Sequence, residues 1–117
     1  YVIQKLNNYN LAYVHLSEPF TDVSKVKYAV QNIAEHFRPL YNGTLMINSN
    51  FDQEKGNNII TNGFADLVAY GKLFISNPDL PERFLKNAPI TKCDTKTFYS
   101  DTGAKGYTDY ANYIEDI

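Results

Sequence analysis

The chain has 117 residues, enough for one small domain, and 44% of them are hydrophobic, which excludes a disordered composition. Its 11 basic and 13 acidic residues leave a net charge of −2, which argues against nucleic acid or an anionic membrane surface as partners. The single cysteine excludes an intramolecular disulfide, and no segment approaches the ~20 apolar residues of a membrane span. From these features we expect a packed cytoplasmic protein with no nucleic-acid or membrane partner.

Apolar runs of strand length alternate along the chain with segments of helical spacing. The predicted strands lie near 11–16, 44–48 and 65–70. The predicted helices cover about 1–9, a long segment from Asp22 or Ser24 to about Phe37, residues 52–62 and residues 78–86. A tail over 88–117 follows, in which no period is evident.

The three predicted strands lack alternating polar residues, which indicates a sheet covered on both faces. Strands of this kind, separated by helices, are typical of a parallel sheet with crossover helices. Three strands leave two unpaired edges, whereas a closed (β/α)8 barrel takes about 250 residues. The chain also begins within an amphipathic helix, so we expect it to be a piece of a longer protein. The predicted fold class is therefore α/β, with residues 1–117 forming the last three βα units of a TIM barrel plus a C-terminal tail.

Small, polar and charged residues follow two of the predicted strands. Ser49 and Asn50 follow the second strand, and Gly71 and Lys72 follow the third. Ligands of α/β barrels bind at the carboxyl ends of the strands. Backbone N–H groups in such turns, a glycine that permits close approach and a nearby cation would together suit one phosphate. Spacing alone leaves a second interpretation equally open, in which Gly71 only turns the chain and Lys72 is solvated.

Four other polar residues have structural interpretations. His15 lies within an apolar run, which predicts a core histidine, and Glu18 at the end of that run predicts a helix cap or a salt bridge. His36 is predicted to be solvated, and Cys93 lacks the cationic surroundings that activate a thiolate. No metal-ligand spacing occurs, so we expect no metal site.

Several stretches carry a family resemblance. The stretch "FADLVAYGKLFISNPDLPERF" (64–84) is similar to the corresponding part of the old yellow enzyme family, which are FMN-dependent alkene reductases. "TKCDTKTFYS" (91–100) and "GYTDY" (106–110) resemble the C-terminal signature of that family, in the same order. "LAYVHLSEP" and "YNGTLMINSNFD" resemble its sixth and seventh strands. The resemblance extends over nearly the whole chain.

The resemblance implies positions for a flavin cofactor. In the family, the turn after the seventh strand and a Gly-Arg pair after the eighth bind the FMN phosphate. Ser49-Asn50 stand at the first of these places and Gly71-Lys72 at the second. Phe98 matches an aromatic residue beside the flavin, and Tyr99 matches its neighbour at the substrate pocket.

Two of these positions depart from the commonest family pattern. Ser49 replaces a usual glycine, which predicts that the turn loses an easily adopted positive φ. Lys72 replaces a usual arginine, which keeps the charge but loses the planar bidentate fork. Both departures predict weaker phosphate binding in an unchanged mode.

The resemblance also implies an activity for the complete protein. NADPH would reduce bound FMN, and the reduced flavin would pass hydride to the β-carbon of a small-molecule enone. The family's catalytic His, Asn and Tyr lie on earlier strands, so we expect no catalytic residue in this chain. Two alternatives stay open: a non-catalytic fragment or assembly partner, and a different phosphate-binding barrel such as an isomerase or aldolase. A homo-oligomeric state is also open.

Overall fold

A computed structural model describes residues 1–101 and 103–114. The chain divides into two compact units, Tyr1–Ala69 and Tyr70–Ile117. In the described residues, the first unit holds a sheet and the second holds none. No helix of the described part is both long enough and apolar enough to cross a membrane.

The sheet of the first unit has three parallel strands, β1 (Val14–Ser17), β2 (Leu45–Asn48) and β3 (Leu67–Ala69), in the order β1-β2-β3. Val14 pairs with Leu45, and Met46 pairs with Leu67. The predicted parallel sheet is therefore confirmed, although each strand is shorter than the apolar run that predicted it. β1 begins at Val14, whose N–H donates a hydrogen bond to the Thr44 carbonyl at 2.9 Å.

Only one face of the sheet is buried. Leu45 and Ile47 on that face have no exposed surface, and they lie in a core with Val14, Ala34, Tyr41, Phe51 and Ala65. The opposite face carries His15, Met46 and Leu67 in one row, and these are exposed or half-buried. Within the described chain the second face is uncovered and His15 is exposed, so the covering of both faces and the core position of His15 stay predictions for the complete protein. An unalternating apolar run does not distinguish the two faces of its strand.

Three helices belong to the first unit: α1 (Val2–Leu6), α2 (Ile33–Phe37) and α3 (Gln53–Thr61). A short 3-10 helix, Arg38–Leu40, continues α2. α3 matches its prediction because local signals define both of its ends. The Asp52 carboxylate accepts a hydrogen bond from the Lys55 N–H at 2.8 Å, and Gly63 ends the helix at φ +74°.

The long helix predicted to begin at Asp22 or Ser24 is wrong, because only its last turn, α2, is helical. The Asp22 carboxylate instead accepts a hydrogen bond from the Ser24 N–H at 2.8 Å, and Tyr28 adopts φ +66°. Valines at 23, 26 and 30 also lose side-chain freedom in a helix. Local turns therefore replace the helix over this segment.

The second unit contains α4 (Lys72–Ser76), α5 (Leu80–Lys86) and a 3-10 helix, Thr95–Thr97. α5 has Pro81 in its first turn, where no N–H is needed, and ends at Asn87 with φ +52°. α4 was not predicted, because a single turn of "KLFIS" has too few residues to show a helical period.

Candidate functional site

The turn after β2 has an unusual backbone. Ser49 adopts φ +109° and Asn50 adopts φ +52°, so two successive residues with side chains occupy a region that favours glycine. Ser49 therefore adopts the positive φ expected of the usual glycine, but without the ease that glycine would give. Such residues cost roughly 1–3 kcal/mol each and persist where the surrounding structure holds them.

The Ser49 side chain has a second cost. The residue is 6% exposed, and its Oγ has no hydrogen-bond partner in the described part of the chain. An unpaired buried hydroxyl costs about 1–3 kcal/mol, and such groups are uncommon in folded proteins. A ligand oxygen that accepted a hydrogen bond from Ser49 Oγ would remove this cost.

The residues around this turn hold it in place. Ser17 Oγ on β1 is hydrogen-bonded to the Asn48 side-chain oxygen at the end of β2. On the other side, Phe51 is buried, and the Lys55 ammonium lies 4.5 Å from the centre of its ring. Because Asp52 then caps α3, the turn is confined between a paired strand and a defined helix start.

Gly71 and Lys72 belong to the second unit. Gly71 has φ −94°, and a Cβ atom placed on it would meet nothing within 4 Å. Neither backbone conformation nor packing within the chain therefore requires glycine at this position. Lys72 is the first residue of α4, is exposed, and takes part in neither of the two ion pairs recorded for the described residues. Its charge is thus available to an anionic group.

The aromatic pair of the tail lies in the second unit. Phe98 follows the 3-10 helix and is half-buried. Tyr99 is fully exposed and adopts φ +53°. The structure thus presents a tyrosine side chain to the outside from a backbone conformation that costs free energy.

The six predicted site residues fall into two sets. Ser49 and Asn50 are adjacent in the first unit, and Gly71, Lys72, Phe98 and Tyr99 are in the second. Their arrangement as one cofactor site stays a prediction.

Glu18 has the capping role that the sequence favoured. Its two carboxylate oxygens accept hydrogen bonds from the Ile33 N–H at 2.7 Å and the Ala34 N–H at 3.2 Å. These are the first two residues of α2, so the end of β1 is tied directly to the start of that helix.

The sequence analysis missed four polar residues that organise the second unit. These are Ser76 and Asn77, which precede the helix predicted over 78–86, and Asp79 and Arg83, which lie within it. Asp79 makes no side-chain cap, and its carboxylate instead pairs with Arg83 at 2.7 Å. The acidic and basic residues at i and i+4 were the available signal for this pair.

Three carboxyl groups, Asp22, Asp66 and Asp79, have lowered pKa values, and the last two also form ion pairs. A hydrogen bond from the Leu45 N–H lowers the pKa of Asp66; burial opposes this effect and Arg38 supports it. Burial raises the pKa of Asp79. Hydrogen bonds from the Tyr113 N–H and from Arg83 together lower this pKa by more than burial raises it, so the net shift is downward. Within the described residues, no group of three or more His, Cys, Asp or Glu side chains could hold a metal ion.

Three adjacent parallel strands, with a strained turn at the carboxyl end of β2, are typical of a segment of an α/β barrel. The chain belongs to the NADH:flavin oxidoreductase / NADH oxidase family, whose sequence profile matches residues 2–90. The predicted resemblance to old yellow enzymes is thereby confirmed, and the alternative of an isomerase or aldolase barrel is wrong.

Similar proteins agree with this membership. The chain is 42% identical to the putative 12-oxophytodienoate reductase 3 of Oryza sativa subsp. japonica, covering 94% of this chain and 29% of the relative. It is 40% identical to 12-oxophytodienoate reductase 1 of the same organism, and the match covers 100% of this chain and 31% of that relative. The chain therefore spans less than a third of the length of these relatives.

Solved structures show the same fold. The old yellow enzyme from Trypanosoma cruzi matches with a TM-score of 0.83 and 33% identity, over 97% of this chain and 29% of that one. Morphinone reductase in complex with tetrahydroNAD matches with a TM-score of 0.81 and 34% identity, over 97% of this chain and 29% of that chain. These neighbours are TIM-barrel flavoproteins, so the described α/β unit has the architecture of part of such a barrel.

Proposed function

We propose that this chain forms the last three βα units and the tail of a TIM-barrel flavoprotein that reduces the C=C bond of α,β-unsaturated carbonyl compounds. Family membership supports FMN as the cofactor, and the names of the relatives support an enone substrate. We further propose NADPH as the electron donor and a cytoplasmic location. When bound, FMN would supply hydride transfer between the nicotinamide and the β-carbon of the substrate.

In this proposal the chain binds the phosphate end of FMN. The observation that carries it is the buried, unpaired Ser49 hydroxyl in a strained turn at the carboxyl end of β2. The hydroxyl would donate a hydrogen bond to a phosphate oxygen, and the exposed ammonium of Lys72 would balance the phosphate charge. The carboxyl ends of β2 and β3 meet at one edge of the sheet, and Gly71 follows β3 by two residues. Each group is therefore assigned a binding role and none a catalytic role.

The aromatic pair would serve the other end of the cofactor. We propose that Phe98 packs beside the flavin ring and that Tyr99 lines the substrate pocket. The full exposure of Tyr99 and its costly backbone conformation support this role, because nothing within the described second unit covers the ring.

The test is the affinity of the complete protein for FMN. A charge-assisted hydrogen bond contributes about 1.5–3 kcal/mol, so Lys72→Ala is expected to raise the FMN dissociation constant about 10- to 150-fold. Lys72→Arg should bind at least as tightly as the wild type, because arginine can make a bidentate contact. Lys25→Ala, which removes an exposed lysine from another loop, is the control and should leave the constant unchanged.

Turnover at saturating FMN separates binding from chemistry. Lys72→Ala should retain kcat, because the phosphate lies far from the reacting ring. An unchanged dissociation constant would mean that Lys72 is only a solvated charge. A purified protein that takes up no FMN would contradict the proposed function itself. Comparing turnover with NADPH and with NADH tests the proposed electron donor.

A further inference from the structure

A buried ion pair lies at the centre of the second unit. Arg83 Nε donates to Asp79 Oδ1 at 2.7 Å, and the two side chains are 5% and 9% exposed. Both residues belong to the start of α5: Asp79 precedes it and Arg83 lies one turn inside it. A buried ion pair is retained at a free-energy cost unless further hydrogen bonds satisfy both partners.

Those further bonds all go to the segment that follows α5. Arg83 Nη1 donates to the Pro89 carbonyl and to Thr91 Oγ1, each at 3.0 Å. Arg83 Nη2 donates to the Ala111 carbonyl at 2.9 Å. Asp79 Oδ2 accepts from the Tyr113 N–H at 2.8 Å. One ion pair therefore binds the chain both before and after residues 92–110, which we name the tail loop.

A buried asparagine strengthens the first attachment. Asn77 has no exposed surface, and its side chain binds both backbone groups of Thr91: Oδ1 accepts from the N–H at 2.8 Å and Nδ2 donates to the carbonyl at 2.9 Å. Ser76 Oγ donates to the same carbonyl at 2.8 Å. Three side-chain hydrogen bonds from buried residues therefore hold the Thr91 backbone, which immediately precedes the tail loop.

Contacts among the described residues of the tail loop hold parts of it together. Gly106 lies so close to Thr97 that an added Cβ would clash with Thr97 Oγ1, and its φ is +79°. The Asp94 N–H donates to the Tyr110 hydroxyl at 2.9 Å. Beside Tyr99, Ser100 Oγ donates to the Thr97 carbonyl at 2.8 Å. Among the described residues of the tail loop, Tyr99 is thus exposed in a strained conformation and lies next to residues that these contacts hold in place.

We propose that Arg83 and Asp79 are positioning residues, which bind both ends of the tail loop so that Tyr99 is held against the substrate. This inference rests on the proposed function, in which Tyr99 lines the substrate pocket. The tail loop determines where the Tyr99 ring lies, and both ends of the loop are attached to α5 through Arg83 and Asp79. Loosening either end would move the ring without changing its chemistry.

The test measures KM for cyclohexenone, a simple enone, in the complete FMN-loaded protein. Arg83→Lys keeps the charge beside Asp79, but an ammonium cannot reach the Pro89 and Ala111 carbonyls together. KM is expected to rise about 3- to 10-fold, the effect of losing one ordinary contact to substrate, while the FMN dissociation constant stays within about twofold. Arg38→Lys is the matched control, because Arg38 forms the other ion pair, with Asp66, in the first unit. It should lower Tm and leave KM unchanged.

A double-mutant cycle distinguishes positioning from general destabilisation. Tyr99→Ala should raise KM at least as much as Arg83→Lys, and adding Arg83→Lys to it should cause no further rise. Ser100→Ala, a milder change beside Tyr99, should raise KM in the same direction with little change in Tm. The proposal is overturned if Arg83→Lys and Ser100→Ala both leave KM unchanged, or if the effects of Arg83→Lys and Tyr99→Ala simply add. Failure to take up FMN would instead overturn the proposed function.

Discussion

At the scale of single residues, Ser49 has two features that are typical of ligand-binding residues. It combines a positive φ with a buried hydroxyl that has no partner in the described part of the protein. Either feature alone lowers stability, and strain of this kind concentrates at binding sites. The physical explanation that we favour is a cost in the ligand-free protein that the bound phosphate removes.

Ser49→Ala should therefore move stability and affinity in opposite directions. Removing the unpaired hydroxyl is expected to stabilise the FMN-free protein by about 1 kcal/mol. Removing its hydrogen bond to phosphate should raise the FMN dissociation constant about 10-fold or more. Thermal unfolding without FMN and a fluorescence titration with FMN measure the two effects.

Thr21→Ala, which removes an exposed hydroxyl in a loop, is the control for both measurements. Unchanged FMN affinity in Ser49→Ala would show that the hydroxyl does not contact the phosphate.

At the scale of secondary-structure elements, α2 depends on a side chain from another element. A helix of five residues is too short to be stable by itself, since helix nucleation is unfavourable. The Glu18 carboxylate at the end of β1 satisfies its first two N–H groups. The sheet therefore determines where this helix begins, and the preceding segment stays non-helical.

Glu18→Ala should destabilise the protein by about 1–2 kcal/mol, because two N–H groups lose their acceptor. Glu18→Gln keeps one acceptor oxygen, so its effect should be about half as large. Glu35→Gln alters a carboxylate in the first turn of the same helix and should cost less than about 0.5 kcal/mol. Urea unfolding of the three variants measures these differences. Equal effects of Glu18→Ala and Glu35→Gln would contradict the capping role.

At the scale of the whole molecule, each unit contains an ion pair whose residues hydrogen-bond to distant parts of its sequence. In the first unit, Arg38 Nη1 and the Leu45 N–H both donate to Asp66 Oδ2 at 2.8 Å. In the second, the Asp79 carboxylate connects α5 to Tyr113. Both carboxyl groups have lowered pKa values, so both should contribute to acid sensitivity.

The sign of this effect follows from the direction of the pKa shift. A carboxyl group with a lowered folded-state pKa stabilises the protein above its unfolded pKa, which is 3.8 for Asp66. That stability is lost as the pH falls through the lower folded-state value. The free energy of unfolding should therefore decline below about pH 4, and the decline should be smaller in Asp66→Asn.

Urea unfolding between about pH 7 and pH 2.5 tests this expectation. Glu54→Gln removes an exposed carboxylate from the first turn of α3 and is the comparison. If Asp66→Asn and the wild type lost stability in parallel as the pH falls, Asp66 would not be a source of acid sensitivity.

Local patterns in the sequence determined much of this protein. Apolar runs located all three strands and indicated their parallel pairing, and the signals at Asp52 and Gly63 defined α3. These features depend on neighbouring residues along the chain, which the sequence displays directly. The "YGKLF" and "FYS" stretches likewise identified candidate site residues and their family.

Only the tertiary structure decided which surfaces and side chains are buried. His15 lies on the sheet face opposite the core that contains Leu45 and Ile47, and the helix predicted from residue 22 is confined to α2 by local turns and by Glu18. The Ser49 hydroxyl is notable only because it is buried without a partner in the described chain. The Arg83 contacts join residues far apart in the sequence. Sequence periodicity carries no information on such contacts, because they arise only when separate elements pack together.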